Sequence, residues 1–192
     1  MDNKKNLEII NIQNKLRKKL SAYRFYHSIG VQYTAAALAM RYGQDIYLAS
    51  LAGVLHDCAK YMSDEDIISK CVKHNIDIDE DEKLHPQLLH GKLGAYYARK
   101  KYRVESEEVL KAIKYHTTGT PNMTTLQKII YISDYIEPNR KDIAGLEEIR
   151  MVAFVDLDRA VIQKLTNTSN YLKIKDVSMQ GIALETYNYY IK

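Results

Sequence analysis

Several side chains that commonly bind divalent metals fall on predicted helices or at their ends. The dipeptide His56-Asp57 closes a very apolar segment, LASLAGVLHDCAK, in which two buried polar side chains would be costly without partners. A divalent cation is one such partner, because neutral imidazole and carboxylate oxygens are good ligands for first-row metals. A hydrogen-bonded core histidine beside an ion-paired aspartate is the alternative for this pair taken alone. The same residue types recur, on or beside other predicted helices, at His27, His90, His116 and Asp134.

Helices are the elements that must position these side chains. Apolar residues recur with a period near 3.6 along most of the chain, and there are few breakers, with 3 Pro and 8 Gly. Ser21, Asp45 and Ser63 are typical N-caps and predict the starts of the second, third and fourth helices. The first helix is expected to be amphipathic, with an apolar face marked by Leu7, Ile10, Leu16 and Leu20.

The remaining segments extend this pattern to the end of the chain. Residues 75–84 are acidic and predict an exposed loop, whereas residues 147–166 and about 178–191 predict helices. No strand-like alternation, repeat or linker divides the sequence. It therefore predicts an all-α fold in a single domain over residues 1–192, with a core at about 16–140 and C-terminal helices at about 145–192.

The overall composition excludes several classes of protein. The chain has 192 residues, 46% of them hydrophobic and 27% charged, which excludes disorder over most of its length. Its 28 Lys+Arg and 24 Asp+Glu residues give a net charge of +4, which suits a phosphate-bearing small ligand but does not predict a nucleic-acid partner. No apolar run approaches the ~18 residues that a membrane span needs. The two cysteines lack metal-finger or redox spacing, so a cytoplasmic protein is expected.

The order of the candidate ligands resembles a known pattern. The arrangement His27 … His56-Asp57 … Asp134 is similar to the H…HD…D pattern of the HD-domain metal-dependent phosphohydrolases, and the intervening His90 and His116 match its two-metal version. More narrowly, the strings YRFYHSIGV, LAGVLHDCAKY, LLHGKLGAYYA and IKYHTTGTPNMTTLQKIIYISDYIEPNR resemble the YqeK-type family, which hydrolyses diadenosine tetraphosphate symmetrically. The likeness runs from about residue 16 to 188. Its last part, DVSMQGIALETYN, matches more loosely, and Ser133 stands where the family usually has Ala.

The resemblance implies a single HD-domain helical bundle with two metal ions. One metal would be held by His27, His56, Asp57 and Asp134. Asp57 would bridge to the second, which His90 and His116 would also hold. The family usually holds iron, although the ligand chemistry also permits Mn, Co, Ni or Zn.

Two other histidines lie near these candidate ligands in sequence. His85 could replace His90 as a ligand or line the pocket; the string LLHGKLGA favours His90, whose neighbours Gly91 and Gly94 would let another helix come close. His74, at a predicted helix end, is expected on the surface.

The implied reaction is hydrolysis of diadenosine tetraphosphate to two ADP, with a metal-bridging hydroxide as the nucleophile. Asp57 and Lys60 are the candidates for catalysis, since Lys60, three residues on, would share a face of a continuing helix. Cations, hydroxyls and backbone N–H groups suit the binding of phosphate or sugar. The candidates for substrate binding are Arg24, Lys60, Thr117, Thr118, Gly119, Asn139 and Arg140.

Two other functions remain open at this point. Another HD-type nucleotide phosphohydrolase or phosphodiesterase would use the same metal site on a different substrate. A non-catalytic nucleotide-binding helical protein would keep the pocket without the reaction. The sequence is also compatible with a homodimer formed through the N-terminal helix.

Overall fold

The computed structural model describes residues 2–141, 143–179 and 181–192. These residues form eleven α-helices and one 3₁₀ turn, with no strand among them, which confirms the predicted all-α class. No helix in these ranges combines the length and the apolarity that crossing a membrane requires. The helices are α1 Asn3–Arg17, α2 Ala22–Arg41, α3 Ile46–Leu55, α4 Asp64–Lys73, α5 Glu80–Leu84, α6 Leu89–Tyr102, α7 Glu107–Lys114, α8 Thr125–Ile136, α9 Leu146–Ala153, α10 Leu157–Ile174 and α11 Gly181–Tyr190. The 3₁₀ turn, Pro86–Leu88, leads directly into α6.

The predicted N-caps are present. Ser21 accepts from the backbone N–H of Arg24, and Asp45 accepts from two N–H groups at the start of α3. Ser63 caps α4 in the same way. These side-chain oxygens bind N–H groups that have no partner within the helix, and so they fix where each helix begins.

The buried face of α1 agrees with the predicted one only in part: Leu16 and, just after the helix, Leu20 are buried as expected, whereas Leu7 and Ile10 are exposed. Ile9, Ile12 and Leu16 are buried, whereas Leu7 is 60% exposed and Ile10 is 48% exposed. The buried residues follow a spacing of three and four, so they form one stripe. Leu7 and Ile10 lie on the other side of the same helix. The chain offers apolar residues on both faces of α1, and only packing against the core selects between them.

The acidic segment 75–84 also differs from the predicted loop, because it contains α5. Asp79 and Glu82 form a reciprocal capping box at the start of α5. Glu82 is buried, and its Oε2 lies 2.5 Å from Nζ of Lys92 on α6. From the sequence alone, a charged residue such as Glu82 is expected at the surface, because its partner on another helix cannot be identified.

The helix predicted over residues 147–166 is broken in two. α9 ends at Ala153, and Asp156 caps α10 by accepting from the backbone N–H of Arg159. The apolar periodicity continues through the break, so it gives no sign of the turn. The capping side chain marks the new start.

Close helix packing is permitted by glycine at particular positions. α2 packs along α3, α6 packs on α7, and α8 packs on both α2 and α7. A Cβ at Gly91 would lie 2.5 Å from the backbone oxygen of Lys114, which is closer than packed atoms approach. At Gly94 the nearest atom would be the backbone oxygen of His56 at 3.4 Å. The sequence expectation that both glycines lie where helices come close is confirmed.

A buried lysine joins α10 to α8. Lys164 is 5% exposed, and its Nζ donates to the backbone oxygen of Tyr131 at 2.6 Å. The same ammonium lies 3.3 Å from the centre of the Tyr131 ring. Burial lowers the pKa of Lys164 to about 7, although the negative charge of Asp134 acts in the opposite direction. The C-terminal helices are thus tied to the helix that carries Asp134.

We expect Gly91→Ala to lower the free energy of unfolding by about 1–3 kcal/mol, because the new methyl group meets a backbone oxygen that cannot move aside. Gly94→Ala on the same helix is the matched control. It should be neutral or slightly stabilising, because its methyl group fits and alanine favours the helix. Chemical denaturation of the two variants checks this, and equal losses would contradict it.

The buried ammonium of Lys164 predicts a pH-dependent stability. Its pKa is lowered in the folded protein from 10.5 to about 7, so the unfolded chain binds the proton more tightly between these values. Stability should therefore rise with pH in this window, by about 2 kcal/mol between pH 7 and 9. Lys164→Met removes the titrating group. Denaturation curves of the two proteins at both pH values should show this rise in the parent chain only; parallel slopes would contradict it.

Candidate metal centre

Four imidazoles converge on one point from different helices. His27 lies on α2, His56 directly follows α3, His90 lies in the first turn of α6, and His116 follows α7. All four are at most 2% exposed. The packing of these helices therefore brings together histidines that are far apart in sequence.

Each of these imidazoles is oriented through its Nδ1 atom. Nδ1 of His56 lies 2.7 Å from the Gly53 carbonyl oxygen, and Nδ1 of His116 lies 2.7 Å from that of Ile113. Nδ1 of His90 donates to the Gln87 carbonyl three residues earlier in the same way. A carbonyl oxygen can only accept, so Nδ1 carries the hydrogen and Nε2 keeps a lone pair.

The Nε2 atoms meet in two pairs. Nε2 of His27 lies 3.2 Å from Nε2 of His56, and Nε2 of His90 lies 3.0 Å from Nε2 of His116. In the second pair neither atom has a hydrogen to offer the other. Two lone pairs at this distance repel each other, and the hydroxyl of Thr117, 3.3 and 3.1 Å from the two atoms, can donate to only one of them. The donor set therefore fits a metal ion.

Asp57 lies between the two pairs. Its Oδ1 is 3.3 Å from Nε2 of His90 and 3.5 Å from Nε2 of His116, while its Oδ2 is 3.6 Å from Nε2 of His56. Oδ1 is buried and makes no hydrogen bond among the described residues. A buried carboxylate oxygen without a hydrogen bond is costly, and a bound metal cation would offset that cost. With one oxygen for each pair, this carboxylate has the geometry of a bridging ligand.

Asp134 joins the first pair. Its Oδ1 lies 3.0 Å from Nε2 of His27 and 3.8 Å from Nε2 of His56. Arg140 donates to the same oxygen at 2.6 Å and to the backbone oxygen of Asp134 at 2.9 Å. The structure thus brings the six predicted ligand residues into two groups that share Asp57.

The local electrostatics favour the forms that bind metal. Burial raises the pKa of Asp57, but the neighbouring imidazoles, His56 first, outweigh it and hold the pKa well below its usual value. The pKa of Asp134 is likewise held low by the hydrogen bond to His27, against burial. Burial lowers the pKa of His56 to about 3 and also lowers that of His90. Ionised carboxylates and neutral imidazoles are the states that metal binding requires.

His27 is the exception to this trend. Burial lowers its pKa, but Asp134 and Glu137 outweigh burial, so the pKa lies above the ordinary value. Its Nε2 can share a proton with Asp134, and metal binding would displace that proton.

Glu137 is a residue that the sequence analysis missed. It is fully buried, and its Oε1 lies 3.0 Å from Nδ1 of His27. Its Oε2 accepts from the backbone N–H and the side-chain amide of Asn139 at 2.8 and 2.9 Å. A Cβ at Gly30 would collide with this oxygen, so the glycine on α2 leaves room for the carboxylate. The string SDYIEPNR contains Glu137, but its three-residue spacing from Asp134 was the only sequence signal.

Two cations lie at the edge of the centre, as predicted. Nη1 of Arg24 is 3.2 Å from Oδ2 of Asp57, and Nζ of Lys60 is 3.7 Å from Oδ1. Both side chains are 31% exposed. Lys60 reaches this place from a turn, since α3 ends at Leu55 rather than continuing as expected.

The other predicted binding residues have separate positions. Thr117 lies beside the second pair, with Oγ1 3.1 Å from Nε2 of His116. Thr118 donates to the carbonyl oxygen of Gly119, whose φ of 69° is typical of glycine in a tight turn. Asn139 binds Glu137, and its role towards a substrate stays a prediction, as do the ligand roles of the six residues above.

The structure distinguishes His90 from His85, which the sequence had left open as an alternative ligand. His90 lies beside Asp57, whereas His85 lines a groove with Gln87 and Thr118. His74 is half-buried rather than fully at the surface, and it stacks on Tyr96 with ring centres 4.5 Å apart.

Comparison with known proteins gives consistent matches. The HD domain family model matches residues 24–139. A curated protein of Halalkalibacterium halodurans, "Bis(5'-nucleosyl)-tetraphosphatase, symmetrical", is 40% identical over 90% of this chain and 91% of its own length. The Bacillus subtilis protein of the same name is 38% identical over 92% of this chain and 94% of its own.

A solved structure agrees with these sequence matches. A crystal structure from Clostridium acetobutylicum, described as a predicted HD superfamily hydrolase involved in NAD metabolism, is 39% identical with a TM-score of 0.90. The match covers 94% of this chain and 95% of that one. The chain therefore belongs to the HD-domain family, in the group of the curated symmetrical bis(5'-nucleosyl)-tetraphosphatases.

Proposed function

We propose that this chain is a metal-dependent hydrolase that cleaves diadenosine tetraphosphate symmetrically into two ADP. The observation that carries the proposal is the pair of Nε2 lone pairs of His90 and His116 at 3.0 Å, facing Oδ1 of Asp57, which makes no hydrogen bond among the described residues. Such a site suits a cation, and the names of the relatives in the same group suit this substrate. Cytoplasmic location and a homodimer stay predictions of the sequence.

Two metal ions would be held by the residues grouped around Asp57. One would bind His27, His56, Asp57 and Asp134, and the other Asp57, His90 and His116. Iron is the proposed metal, with Mn, Co, Ni or Zn as alternatives that the same ligands accept. When bound, the metals supply an activated water and neutralise charge on the phosphoryl oxygens.

The side chains at the edge of the centre would bind the phosphate chain. Arg24 and Lys60 now face Asp57, and both are exposed enough to turn towards a phosphate oxygen. Arg140 holds Asp134 with two hydrogen bonds and so orients that carboxylate. Thr117, Thr118 and Gly119 would offer hydroxyls and a backbone N–H to a phosphate or sugar. Asp57 and Lys60 are the groups closest to the reacting phosphate in this proposal.

The whole chain would act as one HD domain, with a core at about 16–140 and C-terminal helices at about 145–192. This is supported by Lys164, whose buried hydrogen bond ties α10 to α8. It is also supported by α11, where the hydroxyl of Tyr190 accepts from the backbone N–H of Met123 at 2.9 Å.

Anaerobic assays with iron or with manganese should give ADP as the sole product from diadenosine tetraphosphate. Asp57→Asn should lower the rate at least about a hundredfold, because it replaces one oxygen of the carboxylate that both ligand groups share and removes its negative charge. Chromatography of the products checks this. Asp66→Asn, an exposed aspartate on α4, is the matched control and should keep full activity.

The other outcomes of this assay separate the alternatives. AMP and ATP as products would contradict symmetrical cleavage. No turnover by the metal-loaded parent chain would contradict the substrate and favour another HD-type reaction. A parent chain that takes up no metal would favour a non-catalytic nucleotide-binding protein.

Glu137→Gln should weaken metal binding by about 10–100-fold, because Glu137 fixes the ring of His27. The NH₂ group of the new amide would also face the donors of Asn139, which bind Oε2 of Glu137 in the parent chain. Titration with manganese against a chelator measures the affinity directly. Glu65→Gln on α4 is the exposed control, and unchanged affinity in Glu137→Gln would refute the positioning role.

A further inference from the structure

Two grooves in the surface share one wall on α10. The first, the Arg140 groove, has a volume of about 650 Å³ and is lined by Tyr135, Arg140, Ile143, Ala144, Asn167 and Ile174. The second, the Thr117 groove, has a volume of about 570 Å³ and is lined by His85, Leu88, Thr117, Leu172, Met179 and Ala183. Thr168 and Tyr171 line both grooves and divide them.

Each groove has a lining residue that contacts one ligand group of the candidate metal centre. Arg140 donates to Oδ1 of Asp134, so the Arg140 groove adjoins the group formed by Asp134, His27 and His56. Thr117 lies 3.1 Å from Nε2 of His116, so the Thr117 groove adjoins the other group. Each ligand group is therefore contacted by a residue that lines one of the two grooves, and Asp57 is shared by both groups.

Both grooves have the character of sites for a flat, partly apolar ligand. Their volumes fall in the range of roughly 300–1,000 Å³ that small-molecule sites occupy. Each combines apolar side chains with a few hydrogen-bonding groups. Asn167 and Asn170 supply these in the Arg140 groove, and Gln87 and Thr118 supply them in the Thr117 groove. A nucleoside offers matching chemistry, with an apolar base face and polar edges.

Tyr171 between the grooves has a ring that is free to stack. The residue is 59% exposed, and in the described part of the chain its ring stacks on no other aromatic ring. Among the described residues, Lys175 lies over this ring, with Nζ 5.9 Å from the ring centre. An exposed aromatic face beside polar groups is a suitable platform for a base.

We propose that the two grooves bind the two nucleosides of one dinucleotide substrate, one in each groove, on either side of Tyr171. This inference rests on the proposed function and deepens it. With both nucleosides held, the phosphate chain would cross the centre and its middle would lie at Asp57. One water would then add to an inner phosphorus, the central P–O bond would break, and two nucleoside diphosphates would leave. Symmetry of cleavage would follow from having a site for each end.

The test fills one groove at a time. Ala144→Trp places a large side chain in the Arg140 groove, and Ala183→Trp places one in the Thr117 groove. Met151→Trp on α9 is the matched control, since Met151 is 68% exposed and lines neither groove. Equilibrium dialysis of the manganese-loaded full chain against ADP counts the sites. The parent chain and the control should bind two ADP, and each groove variant should bind one.

The same variants are then assayed on diadenosine tetraphosphate. Each groove variant should lose at least about tenfold in kcat/KM, and the control should lose none. One ADP per parent chain, or two ADP in either groove variant, would overturn the proposal. If the parent chain binds two ADP but does not hydrolyse the substrate, the proposed function fails while the two sites stand.

A second variant avoids any doubt about folding. Tyr171→Ala changes an exposed side chain and should lower kcat/KM at least about tenfold, as expected when a stacking platform is removed. Tyr33→Ala on α2 is the control, since Tyr33 is 63% exposed and lines neither groove. On adenosine tetraphosphate, which has one nucleoside, Tyr171→Ala should lower kcat/KM by a smaller factor than on the dinucleotide. Equal kcat/KM values for Tyr171→Ala and Tyr33→Ala would contradict the proposal that Tyr171 stacks on a nucleoside base.

Discussion

Crowding of lone pairs at the centre of the molecule is the constraint on which the rest of the structure depends. The Nε2 atoms of His90 and His116 lie 3.0 Å apart, and a buried oxygen of Asp57 faces both without a hydrogen bond. Such a cluster is unfavourable by itself in a water-excluded interior. The folding energy of the surrounding helices must hold it until a cation makes it favourable.

The helices around the centre serve this constraint in a direct way. His56 and His116 follow the C-terminal ends of α3 and α7, where backbone carbonyls lack partners inside the helix and can orient Nδ1. Close approach of α6 to α7 depends on Gly91, which leaves no room for a methyl group. The buried ammonium of Lys164 adds a second tie between α8 and α10. The contacts that pack these helices together therefore also position the candidate ligands.

The sequence predicted the helical class, most caps and the candidate ligands, because these depend on local patterns and residue chemistry. The buried face of α1 could not be read, since apolar residues lie on both of its sides and tertiary contacts choose between them. The break between α9 and α10 was hidden because the apolar period runs through it. α5 was missed because Glu82 is neutralised by Lys92, ten positions away. Glu137 was missed for a similar reason, since its partner His27 is 110 positions distant.

The four imidazoles differ in which group orients their Nδ1 atom. His56, His90 and His116 each take their orientation from a carbonyl three residues earlier, so a single turn of chain is enough to set the ring. His27 depends instead on Glu137, which closes α8 much later in the chain. During synthesis from the N-terminus, the group around His90 and His116 has all its members once residue 116 has emerged. The group around His27 also needs Asp134 and the orienting Glu137, so its residues are complete only once residue 137 has emerged.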